Sequence, residues 1–225
     1  MTTLRRIAIV GAESTGKSWL ASALCEVLRG RGLTAHAVQE HLRDWCERQG
    51  RTPQAHEQAC IAQAQADAVL AHASGLVIAD TTPLMTAIYS HHLFADESLY
   101  PMALAHQQLY ELTLVTGLDL PWVADGLQRD GPHVRAPIDA LVRHSLVQAG
   151  LAFRVVYGQG LTRLNNALLA LGLAPEDEHA WQLRESAQFA LNQGRTVWSC
   201  EKCSDPDCEH RLFTGLLNKK TSQAF

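Results

Sequence analysis

The sequence predicts an α/β protein with a parallel five-stranded sheet and helices on both of its faces. Short apolar runs typical of buried strands alternate with longer segments whose apolar residues recur at helical spacing. Crossovers between parallel strands are right-handed and cover the sheet on both sides. At 225 residues the chain is long enough for one such domain and a small Cys-rich C-terminal tail.

The apolar runs and the spacing between them predict each element in order. The strands are predicted over residues 6–10, 34–39, 76–79, 112–116 and 153–157. The helices are predicted after residue 18, over 53–73, from Thr82 and Pro83 onward, from Pro137 to Gly150, and over 176–193. The predicted boundaries are a main domain over 1–172, a C-terminal helix over 173–195 and a tail over 196–225.

Residues 11–18, Gly-Ala-Glu-Ser-Thr-Gly-Lys-Ser, lie between the first strand and the first helix. At such a junction, consecutive backbone N–H groups and the helix dipole meet an anion. Glycines permit the tight turn, the lysine reaches the outer phosphates, and the last serine supplies a hydroxyl to Mg²⁺. The segment predicts a P-loop NTPase that binds a nucleoside triphosphate through Gly11, Glu13, Ser14, Thr15, Gly16, Lys17 and Ser18.

Two carboxylates follow neighbouring strands. Asp80 ends the third strand like a Walker B residue, and we expect it to hold Mg²⁺ or contact substrate; the alternative is a turn residue before Thr82. Glu40 ends the second strand and could orient a substrate hydroxyl, or it could form a surface salt bridge with Arg43. Ligands of parallel sheets lie beyond the carboxyl ends of the strands, so both carboxylates are predicted to share one cleft.

A polar stretch after the fourth strand, residues 117–135, predicts a mobile loop or lid. Arg129 and Arg135 could close on the phosphates during transfer, although loop arginines are more often solvated charges. Trp122 could stack on an aromatic substrate ring or cover part of the core.

The charge balance and hydropathy disfavour nucleic-acid and membrane partners. Nineteen basic and twenty-three acidic residues give a net charge of −4, which is no electrostatic footprint for nucleic acid. No run reaches the length of a membrane span, and the N-terminus shows no apolar signal segment. We therefore expect a cytoplasmic protein with a small-molecule substrate.

The tail carries a cluster of metal-ligand residue types. Two thiols at Cys-x2-Cys spacing can grip one tetrahedral zinc ion, and a further cysteine and a histidine can complete a closed, structural shell. The predicted ligands are Cys200, Cys203, Cys208 and His210. The alternatives are a thiol-bearing tail without metal, or a redox pair at Cys200 and Cys203.

Several blocks in order resemble the ribosylnicotinamide kinase domain of NadR proteins and the stand-alone P-loop ATPases of the AAA type that are similar to it. The resemblance covers roughly residues 5–170. Its blocks are residues 11–18, Glu40-His-Leu-Arg43-Asp-Trp45, Ile61-Ala-Gln63, Ile78-Ala-Asp80-Thr81 and Pro121-Trp122-Val-Ala-Asp125-Gly126-Leu127.

The resemblance implies a nucleoside-kinase-like fold and transfer of the γ-phosphate of ATP to the 5′-hydroxyl of nicotinamide riboside. It implies that the substrate and metal face Glu40, Arg43 and Asp80, and that Gln63 and Trp122 line the riboside side. Residues 125–129, from Asp125 to Arg129, would form the lid. Family members have arginine directly after Asp-Gly-Leu, whereas this chain has Gln128 and then Arg129, so the lid cation is either displaced or replaced by Arg135.

A function of a different class also remains open from the residues. The chain could be a regulatory or scaffold protein that binds and slowly hydrolyses ATP and uses the Cys-rich tail to bind a partner. A kinase needs an acceptor hydroxyl for turnover, whereas a regulatory ATPase hydrolyses ATP with water alone, so this dependence distinguishes the two functions.

Overall fold

The computed structural model describes residues 4–123 and 131–193, with side chains described as far as residue 186. Within these residues, one compact unit comprises 4–122 and 131–176, and a second comprises Val123 and residues 177–193. Residues 173–176 belong to the first unit, where the Arg31 guanidinium pairs with the Glu176 carboxylate at 2.7 Å.

The first unit contains a parallel sheet of five strands within the described residues, in the order β2-β3-β1-β4-β5. The strands are β1 (Arg5–Val10), β2 (Ala35–Val38), β3 (Leu76–Asp80), β4 (Leu112–Thr116) and β5 (Phe153–Val156). The register places Ile9 of β1 beside Asp80 of β3 and Leu114 of β4. The predicted parallel five-stranded sheet is confirmed, and its carboxyl edge brings the ends of β1, β2 and β3 together.

Helices cover both faces of this sheet. In chain order they are α1 (Lys17–Gly30), α2 (His41–Gln49), α3 (Gln58–Leu70), α4 (Pro83–Phe94), α5 (Tyr100–Gln107), α6 (Arg135–Gln148) and α7 (Gly160–Ala170). Alternate residues of a strand point to opposite faces. Ala8 and Val10 pack with α4 and α6 in one hydrophobic cluster, whereas Ile7 and Ile9, also buried, point to the other face.

The start of α6 differs from its predicted position. A 3₁₀ turn over Pro132–Val134 leads directly into the helix, which begins at Arg135 rather than at Pro137. Proline is tolerated at the third helical position because the N–H groups of the first turn have no partner within the helix. By contrast, α4 begins as predicted, with Thr82 at its N-cap and Pro83 at its first position.

In the second unit the described helix is α8, Glu178–Gln193. Asp177 caps it, because its Oδ1 accepts hydrogen bonds from the backbone amides of His179 at 2.7 Å and Ala180 at 3.2 Å. The helix predicted over residues 176–193 is thus confirmed. None of the helices in the described part of the chain is both long and apolar enough to cross a membrane.

Candidate active site

The phosphate loop, residues 11–18, connects β1 to α1 and needs glycine at two positions. Gly11 has φ of 149°, and a Cβ atom there would collide with the Thr116 hydroxyl at the end of β4. Gly16 has φ of 74° and forms the left-handed N-cap of α1, without a side-chain cap. The first backbone amides of α1 therefore remain available to an anion, as phosphate binding requires.

Side chains of the loop itself hold its shape. The Thr15 hydroxyl lies 2.7 Å from the Ala12 carbonyl oxygen and 2.6 Å from the Thr116 hydroxyl. The Lys17 Nζ atom donates to the same Ala12 carbonyl at 2.9 Å. The lysine thus already lies over the loop, where a phosphate oxygen can replace that carbonyl as its acceptor.

Glu13 and Ser14 contact the segment that follows β4. One oxygen of the buried Glu13 carboxylate, Oε1, accepts hydrogen bonds from Trp122 Nε1 at 3.1 Å and from the Gly131 amide at 3.2 Å. The Ser14 hydroxyl donates to the Pro121 carbonyl at 3.4 Å. The loop is therefore joined to both Trp122 and the residue that precedes the turn into α6.

The expected position of Arg135 in a lid loop is wrong, because it is the first residue of α6. Its side chain is buried, and its Nη2 atom donates to the carbonyls of Leu118 at 3.3 Å and Leu120 at 2.8 Å. A guanidinium bound to two backbone carbonyls braces the segment after β4.

Arg163 of α7 is a site residue that the sequence analysis missed. It is 1% exposed, and its guanidinium donates to the carbonyls of Thr15 and Gly158 and to the Asp119 carboxylate. Burial lowers the pKa of Arg163 from its usual value, and the neighbouring Asp119 charge opposes that shift. Arg163 thereby joins the phosphate loop to the segments after β4 and β5.

Asp80 lies at the tip of β3, 1% exposed, and its Oδ1 atom has no hydrogen-bond partner in the protein. Burial raises the pKa of Asp80 to about 6, and the negative charge of Glu40 acts in the same direction. A hydrogen bond from Ser18 and the charges of Lys17 and Arg43 act in the opposite direction. The residues predicted for the two strand tips and the loop are therefore brought together.

The oxygen atoms around Asp80 fit a magnesium ion. Mg²⁺ prefers one or two carboxylate or hydroxyl oxygens and completes its shell with water and substrate phosphates. Asp80 and Ser18 offer this donor set, because Asp80 Oδ1 has no partner and the Ser18 hydroxyl lies within hydrogen-bond reach of the same carboxylate.

Glu40 forms the N-cap residue of α2, and its Oε2 atom lies 3.8 Å from Arg43 Nε. The ion pair considered as the alternative for Glu40 is thus present. Both side chains are only partly exposed, and their charges act on the pKa of Asp80. The pair accordingly belongs to the cleft rather than to open surface.

The structure does not bring Gln63 to this cleft. Gln63 is exposed and donates to Asp67 on its own helix at 2.8 Å. Gln65 is 2% exposed, its Oε1 accepts from the amide of His41 at 2.7 Å, and its Nε2 has no partner. Residues two apart on a helix point in nearly opposite directions, so Gln65 replaces Gln63 beside Glu40.

Thr81 is a further residue to which the sequence analysis assigned no role. It has φ of 70°, which is strained for a β-branched residue, and its buried hydroxyl has no partner. Together with Asp80 Oδ1 and Gln65 Nε2, the Thr81 hydroxyl leaves three buried polar atoms unpaired on this side of the site.

Some predicted residues lie outside the described residues. They are Asp125, Gln128 and Arg129 of the expected lid, and Cys200, Cys203, Cys208 and His210 of the expected zinc site. Among the residues that are described, no group of three or more His, Cys, Asp or Glu side chains could hold a metal ion.

Both the sequence and the fold of this chain are similar to those of known proteins. Residues 6–163 match the family model of an AAA domain, and no curated protein matches the sequence significantly. Among solved structures, the fold is similar to that of a NadR protein in complex with NR, with 21% identity and a TM-score of 0.60. That match covers 77% of this chain and 52% of the other, so this chain spans about half the length of the NadR chain.

A deoxyadenosine kinase from M. mycoides with bound dCTP is also matched, with 15% identity and a TM-score of 0.48. The match covers 74% of this chain and 98% of the kinase. The AAA domain and the NadR fold confirm the predicted P-loop fold class and the resemblance carried by the sequence blocks.

Proposed function

The chain belongs to the AAA domain family, and from this premise we propose that it is an ATP- and Mg²⁺-dependent kinase of a small nucleoside. The proposed acceptor is the 5′-hydroxyl of nicotinamide riboside or a related nucleoside. The observation that carries the proposal is the buried Asp80 carboxylate, which lies with Glu40 beside Lys17 and Ser18 of the phosphate loop.

The donor nucleotide is proposed to bind over the phosphate loop. Lys17 would exchange the Ala12 carbonyl for a phosphate oxygen, and the uncapped amides of α1 would bind the remaining phosphate oxygens. Ser18 and Asp80 are the proposed magnesium ligands. When bound, Mg²⁺ neutralises charge on the transferring phosphoryl group.

The acceptor is proposed to bind at the tips of β2 and β3. A carboxylate within reach of a hydroxyl can accept its proton as the oxygen attacks, and Glu40 is the proposed residue for this step. Arg43, whose Nε atom lies 3.8 Å from Glu40 Oε2, is proposed to orient this carboxylate. Gln65 and Thr81 offer unpaired polar atoms to a hydroxyl-rich ligand, and Trp122 offers a ring face to an aromatic one.

The comparisons support the proposal through the fold. A NadR protein with this fold was solved in complex with NR, which agrees with a riboside acceptor. Because that chain is about twice as long as the matched part, its further activities are not proposed for this protein.

The acceptor can be tested with purified protein, Mg-ATP and a panel of nucleosides that includes nicotinamide riboside. We expect ADP formation that requires the nucleoside and yields its 5′-monophosphate by mass spectrometry. ADP formation at an equal rate without nucleoside would contradict a kinase and favour the regulatory ATPase.

Lys17→Ala provides the matching test of the donor site. We expect it to weaken ATP binding by about 10²-fold or more while the protein unfolds at an unchanged temperature, because the ammonium group serves the phosphates. Unchanged ATP affinity in calorimetry would contradict the proposed donor site.

For the parts of the chain outside the described residues, the sequence expectations remain proposals. We propose that Asp125 and Arg129 act above the phosphates. We also propose that a domain over 1–172 is followed by a helix over 173–195 and a tail over 196–225. In this tail, one structural zinc ion is bound by Cys200, Cys203, Cys208 and His210. Metal analysis of the purified protein, with about one zinc per chain expected, tests the tail.

A further inference from the structure

Glu13 is an acidic side chain inside a loop that binds anions. Such a charge repels phosphate, so its presence there calls for a separate explanation. Its carboxylate is 7% exposed, and one oxygen accepts two hydrogen bonds from N–H groups, those of Trp122 and Gly131. Hydrogen bonds to an ionised acceptor are stronger than neutral ones, which makes this a firm attachment.

The two donors come from the two ends of one connection. Trp122 closes the segment after β4, in which Arg135 holds the carbonyls of Leu118 and Leu120. Gly131 directly precedes the turn over Pro132–Val134 that leads into α6. A displacement of Glu13 must therefore move the Trp122 indole and the Gly131 amide together.

The backbone beside Glu13 is in contact with the lysine that we propose binds phosphate. Lys17 Nζ donates at 2.9 Å to the carbonyl of Ala12, the residue before Glu13. A polyphosphate that takes over the lysine would remove this hydrogen bond from the carbonyl, to which the Thr15 hydroxyl still donates at 2.7 Å. The loop then adjusts at the peptide that carries the Glu13 side chain.

We propose that Glu13 is a positioning residue that transmits occupation of the phosphate loop to the Trp122 indole and the Gly131 amide. A polyphosphate in the loop then fixes the indole, and an aromatic acceptor that stacks on it binds more tightly. The first step needs only polyphosphate binding, whereas the second rests on the proposed kinase function.

Two substitutions separate the hydrogen bonds from the charge. Glu13→Gln keeps a side-chain oxygen that can accept both bonds and removes the negative charge, whereas Glu13→Ala removes the acceptor. Asp139→Asn on α6 is the control, because it removes a carboxylate charge outside the phosphate loop, where Asp139 pairs with Arg143 at 2.7 Å.

The probe is Mg-ADP, and binding itself is measured by calorimetry. The chain has five tryptophans, so the Trp122 signal is taken as the fluorescence difference between each protein and its Trp122→Phe partner. We expect Mg-ADP to change this signal in the wild type, Glu13→Gln and Asp139→Asn. In Glu13→Ala we expect most of the change to be lost although Mg-ADP still binds, because both hydrogen bonds from Trp122 and Gly131 to this side chain are absent.

Hydrogen exchange at Gly131 provides a second readout that does not depend on fluorescence. Mg-ADP is expected to slow exchange of this amide in the wild type and in Glu13→Gln. If Glu13→Ala does not fold, the Gln variant alone decides, since loss of both responses in a folded Glu13→Gln protein contradicts transmission through the hydrogen bonds.

The outcomes for this proposal and for the kinase are distinct. A Glu13→Ala protein that binds Mg-ADP with wild-type Trp122 and Gly131 responses overturns the positioning role. If the wild type shows both responses, Glu13→Ala loses them and no nucleoside is phosphorylated, the result supports Glu13 as the link and contradicts the kinase. Where the kinase is active, Mg-ADP is expected to tighten nicotinamide riboside binding about tenfold in the wild type and not in Glu13→Ala.

Discussion

The two halves of the site differ in how their buried polar atoms are paired. In the donor half, which consists of the phosphate loop and its contacts with α6, α7 and the segment after β4, side chains bind to the protein itself. Glu13, Thr15, Lys17 and Arg163 all do so, and Arg135 binds two carbonyls although its Nε is unpaired. In the acceptor half, which consists of the tips of β2 and β3 with α3, one side-chain atom of each of three buried residues lacks a partner: Asp80 Oδ1, the Thr81 hydroxyl and Gln65 Nε2.

The donor half is therefore preorganised, whereas the acceptor half needs a ligand to pair its remaining polar atoms. A loop that is already braced loses little freedom on binding phosphate, which favours affinity. Buried polar atoms without partners cost stability in the empty protein, and a ligand that pairs with them recovers that cost. The acceptor half therefore trades stability for recognition, as active sites commonly do.

Asp80→Asn is expected to show the largest effect and to move activity and stability in opposite directions. Loss of the carboxylate that we propose binds Mg²⁺ beside the transferring group should lower kcat about 10³-fold. The free energy of unfolding should stay equal or rise by about 1 kcal/mol, because the amide is cheaper to bury than an incompletely paired carboxylate.

Steady-state kinetics and urea denaturation test both parts of this prediction. Asp139→Asn on α6 is the matched control, since Asp139 pairs with Arg143 near the surface, and it should leave kcat unchanged. A marked loss of stability in Asp80→Asn would show that the acceptor half is paired internally after all.

Arg163→Met should reduce the free energy of unfolding by about 3 kcal/mol, because it leaves the Thr15 and Gly158 carbonyls and the Asp119 carboxylate without their buried donor. Arg143→Met is a close control, since both arginines lie 2.7 Å from an aspartate but their side chains are 1% and 31% exposed. An exposed pair of this kind contributes about 0.5 kcal/mol. If urea denaturation shows that the two variants lose equal free energy of unfolding, the bracing role of Arg163 is contradicted.

Gln65→Met and Gln63→Met are expected to show the smallest difference, and one that affects only the acceptor KM. Loss of the unpaired Gln65 amide should raise the acceptor KM about tenfold, as expected when a buried polar contact to substrate disappears. Gln63→Met should leave the acceptor KM at its wild-type value, and the KM for Mg-ATP should change in neither variant. A larger rise in the acceptor KM from Gln63→Met than from Gln65→Met would show that the acceptor contacts the face of α3 that carries Gln63, as the sequence resemblance implied.

The strands and the carboxylates at their ends could be predicted because both signals are local. An apolar run such as residues 76–79 and the Asp80 that ends it are adjacent in the sequence. The start of α6 was misplaced because proline favours the first helical position but is also tolerated within the first turn. Arg135 was consequently assigned to a loop.

Gln65 and Arg163 could not be found in this way for two different reasons. In α3, alanine and glutamine occupy alternating positions, so the sequence has little contrast between a buried and an exposed face. Arg163 lies between Thr162 and Leu164 on α7, and its partners Asp119 and Thr15 are 44 and 148 residues away. Contacts across such separations are set by the sheet order and leave no periodic pattern in the sequence.

The hydroxyl of Thr116, which fits against Gly11 and bonds to Thr15, also bears on how the protein is made. Thr15 and Thr116 are 101 residues apart, and they meet only once β4 has paired with β1. Domains form as the chain emerges from the ribosome, N-terminal parts first. A nascent chain therefore carries the glycine-rich motif long before it can hold a phosphate, and nucleotide can favour only a nearly complete sheet.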